Sequence, residues 1–392
     1  MKDIVILLTK DCMPKEALPC YGGCKYWKGK TPNIDALAEK GTMFTRYYSV
    51  AGSTAMSMSA MLTGKYPFEF KTRYTYKLVD YGEFPSIYDI FQKEGYECHI
   101  IWEKDWKSFA TEYVGEFGNW NEVIYHGIDI DQATDCHSVT EYIHRNDELL
   151  RKSIDGVCAA FDSIDLNKKQ FVWCHIPHIM KGRTTYMEDM DAFDEVVGYA
   201  RKVFGDDNIY LSTDHGHMNM RKHIAGYGFD VYEPIINIPL ITPRIDGLKV
   251  CDRLLCNIDL PVILLNNKMP SEREVIYSDT KYYAQLGRRM AVVSKRYKFI
   301  YNAEDEREEL YDVIWDPDEN YNILERYHYD KDRHKIVFYD EHYFYPYKEE
   351  AMHAYEILKA FWKEVWREPS KKQITRTKIV TFLIRVRNKL FR

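Results

Sequence analysis

Apolar residues fall along this chain in two rhythms. Residues 4–9, 96–102, 171–175 and 208–212 are short, nearly continuous apolar runs rich in β-branched side chains, the pattern of strands buried on both faces of a parallel sheet. Between them, 31–40, 55–62, 86–94, 139–161 and 187–203 carry helical spacing. Pro32 suits a first helical position and Gly95 a stop. Strands alternating with helices predict an α/β fold, a central, mostly parallel sheet flanked by helices. Residues 235–241 read as one more strand returning to that sheet.

From about Lys249 the rhythm shortens. Residues 274–278, 289–294, 298–302 and 309–313 are strand-like and separated by turns such as Asp316-Pro317-Asp318, which predicts a small antiparallel C-terminal sheet. Tyr and His crowd 327–347, where only surface or packing roles can be assigned. The expected organisation is 1–248 as a catalytic α/β domain, 249–348 as a small antiparallel-sheet subdomain of the same unit, and 349–392 as a helical extension. Its tail, 371–392, has eight basic residues and no acid, with Ile379, Leu383, Val386 and Leu390 on one helical face. Lys378, Arg385, Lys389 and Arg392 lie opposite. Such a helix can pack on its own chain, dock on a partner, or lie on an anionic membrane through 374–392.

Composition bounds the rest. With 392 residues, 45% of them hydrophobic and 15% aromatic, the chain can bury a large core, and its net charge of −6 is spread out, which argues against a nucleic-acid partner. Nine irregularly spaced cysteines, several inside strand-like runs, read as reduced thiols rather than a disulfide framework. Cys20 and Cys24 could hold a metal, but no second pair at zinc spacing follows. The first apolar run is too short for a signal-peptide core, and no stretch approaches the ~20 apolar residues of a membrane span. The expected location is the cytoplasm, with the basic tail allowing peripheral contact at the inner membrane face.

Candidate chemistry gathers at strand ends, where α/β sheets place ligands. Asp11 follows the first run. Thr54, after Ala51-Gly52-Ser53, opens a helix, where unpaired N–H groups suit an anion; a threonine there can equally be an ordinary N-cap. His175, His178, Lys181 and Arg183 follow the third run and would suit a negatively charged substrate. Thr213-Asp214-His215-Gly216-His217 follows the fourth, and its adjacent Asp and His can both reach one metal ion. Lys222-His223 and Tyr227 lie just beyond.

Several segments together resemble a family. TPNIDALAEKGTMFTRYYS, LTGKYP, STDHG and KRYKFIYN…EELYD, in that order over roughly 4–325, resemble the sulfatase family of the alkaline-phosphatase superfamily. The resemblance implies an alkaline-phosphatase-like sheet and places the nucleophile at Thr54. Formylglycine sulfatases carry Cys or Ser in a C-x-P-S-R pattern; this chain reads Thr54-Ala55-Met56-Ser57-Met58, and threonine cannot be converted to formylglycine.

A Thr nucleophile resembles instead the phosphoethanolamine transferases and lipoteichoic acid synthases of the same superfamily. That implies one divalent metal on Asp11, Thr54, Asp214 and His215, manganese or zinc rather than calcium, which would want more oxygen ligands. The second acidic ligand of many sulfatases falls on Lys10 or Cys12, depending on register. His178 matches the substrate-side histidine, Lys181, Arg183, Lys222 and His223 are candidates for binding the substrate, and Tyr227 sits where related sequences often have a histidine. The implied activity is hydrolysis or transfer of phospho-esters, of phosphodiester or phosphonate type, through a phosphothreonine. The substrate would be a small-molecule or a glycan- or lipid-linked anionic ester. Alternatives are a sulfuric ester hydrolase and an inactive sulfatase-like scaffold in surface-polysaccharide assembly.

Overall fold

A computed structural model describes residues 2–23, 30–69, 84–104, 123–129, 139–177, 186–218, 222, 226–280, 288–303, 305–325, 327–330, 335–338, 345 and 347–366. The strands of its first part are β1 (Ile4–Lys10), β2 (Thr42–Phe44), β3 (Tyr47–Tyr48), β4 (Glu97–Glu103), β5 (Val123–Ile128), β6 (Gln170–Ile176), β7 (Ile209–Thr213), β8 (Leu240–Thr242) and β9 (Val250–Cys251). All but β3 join one sheet in the order β5-β4-β6-β1-β7-β8-β2-β9. The stretch from β5 to β7 is parallel, while β8 runs antiparallel to both β7 and β2.

Side-chain alternation along β1 decides which helix covers which face. The helices are α1 (Pro32–Lys40), α2 (Thr54–Thr63), α3 (Ile87–Lys93), α4 (Val139–Asp162), α5 (Tyr186–Phe204), α6 (Glu233–Ile236) and α7 (Leu260–Asn266). Val5 and Leu7 point into a cluster with Ile87 and Phe91 of α3 and Leu260 and Ile263 of α7. Ile6 and Leu8 point the other way, into Ile34 and Leu37 of α1, Val157 and Phe161 of α4, and Phe193 and Val197 of α5. β6 repeats the split, Phe171 and Trp173 against Val172 and Cys174. Each such side chain contributes about 1.5–3 kcal/mol on burial. The exposed Arg151–Glu195 pair between α4 and α5 contributes about 0–1 kcal/mol. Apolar docking therefore holds the layers.

The start of α1 shows how far local sequence reaches. Pro32 opens the helix as its sequence predicts, but Thr31 makes no side-chain cap. Asp194 on α5 supplies it from the neighbouring helix, accepting from the Asn33 and Ile34 N–H groups at 3.1 and 2.9 Å and from Asn33 Nδ2 at 2.9 Å. Burial pushes this carboxyl's pKa up, against the lowering effect of those bonds. Asp194→Ala should leave the donors unpaired and lower stability by about 2 kcal/mol; an unchanged denaturant midpoint would show that water replaces the cap.

Residues 235–241 do not form the expected strand. Pro234 starts the helical turn α6, and Pro239, which has no N–H to give a ladder, delays the return to the sheet until β8. Beyond it, β9 pairs with β2, β10 (Leu255–Cys256) pairs with β3, and α7 packs on the first face, so packing against the main sheet continues past residue 248.

The small sheet then forms as expected, from β11 (Ile276–Asp279), β12 (Arg289–Val293), β13 (Tyr297–Asn302) and β14 (Arg307–Asp312), each antiparallel to the one before. One face, with Ile276, Ala291 and Ile300, packs on Tyr48, Val50 and Ile235. The other, with Val292, Phe299 and Leu310, is covered by Leu358 and Trp362 of α8 (Lys348–Val365). Within 327–347, β15 (Tyr327–Asp330) and β16 (Lys335–Phe338) pair as antiparallel strands. Among the described residues no disulfide forms and no helix is long and apolar enough to cross a membrane. The basic tail 371–392 lies outside them.

Candidate nucleophile and metal site

Sheet register brings the first two groups together. Lys10 of β1 lies opposite Thr213 of β7, so Asp11 and Asp214 leave the same edge of the sheet side by side. Asp214 Oδ1 accepts from the Cys12 N–H at 3.3 Å and the His215 N–H at 2.8 Å, which ties the two strand ends to each other.

Helix α2 delivers the third group. Its N-cap is Ser53, and no side-chain cap bond forms, so Thr54 does not serve as the cap its position allowed. The buried hydroxyl turns to the strand ends, with Oγ1 3.4 Å from Asp11 Oδ1 and 3.1 Å from His215 Nε2. Gly52 makes that approach feasible. A Cβ there would lie 2.8 Å from the Asp230 carbonyl oxygen and 3.1 Å from Ile235 Cγ2.

Behind the hydroxyl is a set of polar groups that sequence reasoning missed. Ser57 Oγ donates to the Asp214 carbonyl and accepts from Asn257 Nδ2 at 2.8 Å, while Asn257 Oδ1 accepts from the Val50 N–H at 3.2 Å. These bonds tie the nucleophile helix to the loop that carries Asp214. Ser57 could have been suspected, one turn after Thr54; nothing in the sequence marks Asn257. Asn257→Ala should strand the Val50 N–H and lower stability by about 2 kcal/mol, with a fall in kcat as Thr54 drifts. A full-rate variant would show that the helix holds its place without it.

The orientation of His215 defines what the site lacks. Its Nδ1 is 2.9 Å from the Gly216 carbonyl oxygen, which can only accept, so Nδ1 donates there and Nε2 is turned toward Thr54, Asp11 and Asp214. There it faces two carboxylate oxygens, Asp11 Oδ1 at 3.8 Å and Asp214 Oδ2 at 3.3 Å. Asp214 Oδ2 is buried and makes no hydrogen bond. Buried acceptors facing one another are costly unless a cation lies among them. The residues present therefore fit a divalent metal ion, and Asp11, Cys12 and His215 offer ligand atoms within 4.8 Å of one another.

The two neighbours of Asp11 in the chain part company here. Lys10 is fully buried and turns to Asp189 of α5, away from the cluster, whereas Cys12 joins it. Lys222 is not drawn in: its ammonium donates to the Glu319 carbonyl and lies over the Tyr232 and Tyr311 rings at 4.4 and 5.2 Å. Burial lowers its pKa. Tyr227 packs its ring on His215, centroids 4.5 Å apart.

His175 is fully buried. Its Nδ1 is 2.9 Å from Thr9 Oγ1 and its ring is 4.7 Å from that of Trp102. His178, Lys181, Arg183 and His223 lie outside the described residues. A separate cavity of about 620 Å³, lined by Lys15, Arg46, Glu233, Lys295 and Arg296 among others, includes none of Asp11, Thr54, Asp214 or His215.

Comparison with known proteins gives this geometry a setting. The family model described as Sulfatase matches residues 2–237. Among solved structures, BT1596, a 2-O GAG sulfatase, superposes with a TM-score of 0.65 at 15% identity, covering 95% of this chain and 96% of its own. The phosphonate monoester hydrolase of Agrobacterium radiobacter gives 0.62 at 14%, covering 95% and 99%. BT4656, in complex with its substrate D-glucosamine-2-N,6-O-disulfate, gives 0.62 at 16%, covering 92% and 98%. At such identities the likeness is one of fold.

Proposed function

The chain belongs to the sulfatase family, and from that premise we propose that it is a metal-dependent hydrolase or transferase that cleaves phospho-esters, phosphodiesters or phosphonate monoesters, through Thr54. The observation that carries this reading is the placement of Thr54 Oγ1, buried in the first turn of α2, 3.4 Å from Asp11 Oδ1 and 3.1 Å from His215 Nε2. Threonine cannot become formylglycine, so the side chain must act as a plain hydroxyl nucleophile.

Asp11, Thr54, Asp214 and His215 would hold the metal, which when bound would lower the pKa of the Thr54 hydroxyl and offset charge on the substrate. Oγ1 forms a bond to phosphorus as the bond to the leaving oxygen breaks, in line. The hydroxyl's proton passes to Asp11 Oδ1, which accepts from it at 3.4 Å, and His178, assigned on sequence, protonates the leaving alkoxide. The N–H groups of Thr54, Ala55 and Met56 have no acceptor within the helix and suit the equatorial oxygens, with Lys181, Arg183 and His223 as further partners for the anion. Water, or an acceptor alcohol, then breaks the Thr54–phosphorus bond and restores the hydroxyl.

A second reading, sulfate-ester hydrolysis, is favoured by the family match and by the sulfated saccharide held by BT4656. Nitrophenyl phosphate, phosphodiester, phosphonate and sulfate esters, assayed with and without chelator, separate the two. The first reading expects turnover of phosphodiester or phosphonate that chelator removes and manganese or zinc restores. Turnover of the sulfate alone would replace it with the second.

A further inference from the structure

We propose that the separate cavity of about 620 Å³ is a second binding site, which takes the phosphate or sulfate group of a saccharide-sized organic ester between Lys15 and Arg46. The inference stands apart from the chemistry at Thr54, since it needs neither the nucleophile nor a metal.

The balance of charge along the cavity wall carries it. Of the four cations that line it, two are already paired, Lys295 with Glu272 at 3.1 Å and Arg296 with Asp312 at 2.9 Å. Lys15 and Arg46 meet neutral acceptors instead. Lys15 Nζ donates to the Thr45 carbonyl and to Asn237 Oδ1, both at 2.8 Å, and Arg46 Nη1 donates to the Lys295 carbonyl. Arg46 Nε is buried and makes no hydrogen bond. The acids of the same wall are engaged elsewhere. Glu233 accepts from Lys298 Nζ at 3.0 Å and from Asn237 Nδ2 at 2.7 Å, Asp252 lies 3.9 Å from Lys295, and Glu16 and Asp318 have partners of their own. Burial lowers the Lys15 pKa to about 8; Glu233 offsets the fall only in part and Arg46 deepens it, so the ammonium is still charged at neutral pH. Two neighbouring cations on neutral acceptors, one with an unused buried N–H, are costly unless an anion lies between them.

Size and lining choose the class of ligand. Cavities of about 300–1,000 Å³ hold whole small organic molecules, and a bare oxyanion would leave most of this one to water. Tyr48, Val313, Ile314 and Pro317 add apolar wall against which a sugar ring can pack. A guanidinium and an ammonium grip a tetrahedral oxyanion by charge and by N–H donation, so phosphate and sulfate esters share the chemistry of the site.

Calorimetry on the full-length protein, with its metal and again after chelator treatment, tests the proposal with glucose 6-phosphate, glucose 6-sulfate, inorganic phosphate and glucose as probes. At least one ester should bind in both forms, about tenfold or more tighter than inorganic phosphate or glucose, and the tighter of the two esters identifies the preferred group. Lys15→Met and Arg46→Gln, which remove the charge and keep most of the stem, should each weaken that binding by about tenfold or more; circular dichroism checks that both fold. Binding that disappears with the metal would move the anion to the Thr54 site, overturning this proposal and leaving that reading standing. Unchanged affinity in both folded variants, inorganic phosphate or glucose bound as tightly as the esters, or no binding of either ester to the wild type would overturn it as well.

Discussion

Replacing Thr54 by alanine should reduce turnover by on the order of 10⁴-fold or more while leaving the protein folded. The two halves of that expectation have separate causes. Oγ1 is the atom that bonds to the transferred group, so its removal stops the covalent route outright rather than weakening binding. Stability should change little because Thr54 does not cap α2; Ser53 occupies that position without a cap bond. The hydroxyl's loss forfeits its polar contacts with Asp11 Oδ1 and His215 Nε2, about 1 kcal/mol each, which alanine's better helix propensity partly offsets. Thr54→Ser keeps the oxygen and should retain measurable activity. Kinetics and thermal melting on both variants check the pair of claims, and a Thr54→Ala protein of near-normal rate would remove the nucleophile from the account.

Gly216→Ala should damage the molecule more than any change in the nucleophile helix. A Cβ at 216 would lie 2.0 Å from the Pro234 carbonyl oxygen and 3.2 Å from Pro14 Cα, both backbone atoms that no rotamer change can move. The same loop is tied down by the Gly216 N–H to the Ile235 carbonyl at 2.7 Å and the His217 N–H to the Pro234 carbonyl at 3.0 Å. Relief of the clash would have to push His215 and the Asp11–Pro14 turn apart. Overpacking combined with the loss of one or two such bonds should cost about 3 kcal/mol or more, together with metal affinity. Denaturant unfolding and metal content measured on one preparation would show both losses; a variant of wild-type stability would mean that the loop yields freely.

The parallel strands were legible because burial on both faces leaves continuous apolar runs such as that in β1, and the helices because their apolar residues keep one spacing. The short β2, β3, β9 and β10 were not foreseen, since strands of two or three residues have no period to read and owe their form to partners far along the chain; the six-residue β5 was missed because Tyr125, His126 and Gly127 break its apolar run. The turn at Pro234 was misread because Ile235 to Ile241 is apolar for a tertiary reason: Ile235 and Ile236 fill the cluster under the small sheet.

At the site, Asp11, Thr54, Asp214 and His215 stood at strand ends or a helix start, the resemblance joined them into one set, and their side chains lie within 3.1–3.8 Å of one another through Thr54 and His215. What the sequence could not reveal were supporting contacts between distant segments. Asp194 caps α1 from α5, Asn257 braces α2, and Lys10 is drawn off by Asp189, which leaves Cys12 beside Asp11. His175 could be read as a pocket residue or as a buried turn histidine, and its bond to Thr9 and its contact with Trp102 place it in the core.

The central claim is a covalent bond between Thr54 and phosphorus. Wild-type protein loaded with metal, mixed with a nitrophenyl phosphodiester or phosphonate and quenched in acid during the first turnovers, should yield a peptide containing Thr54 that carries the transferred group, detected by mass spectrometry. The same peptide from Thr54→Ala should be unmodified. Rapid turnover of the ester with Thr54 unmodified at every quench time, or the group found on another residue, would contradict the account.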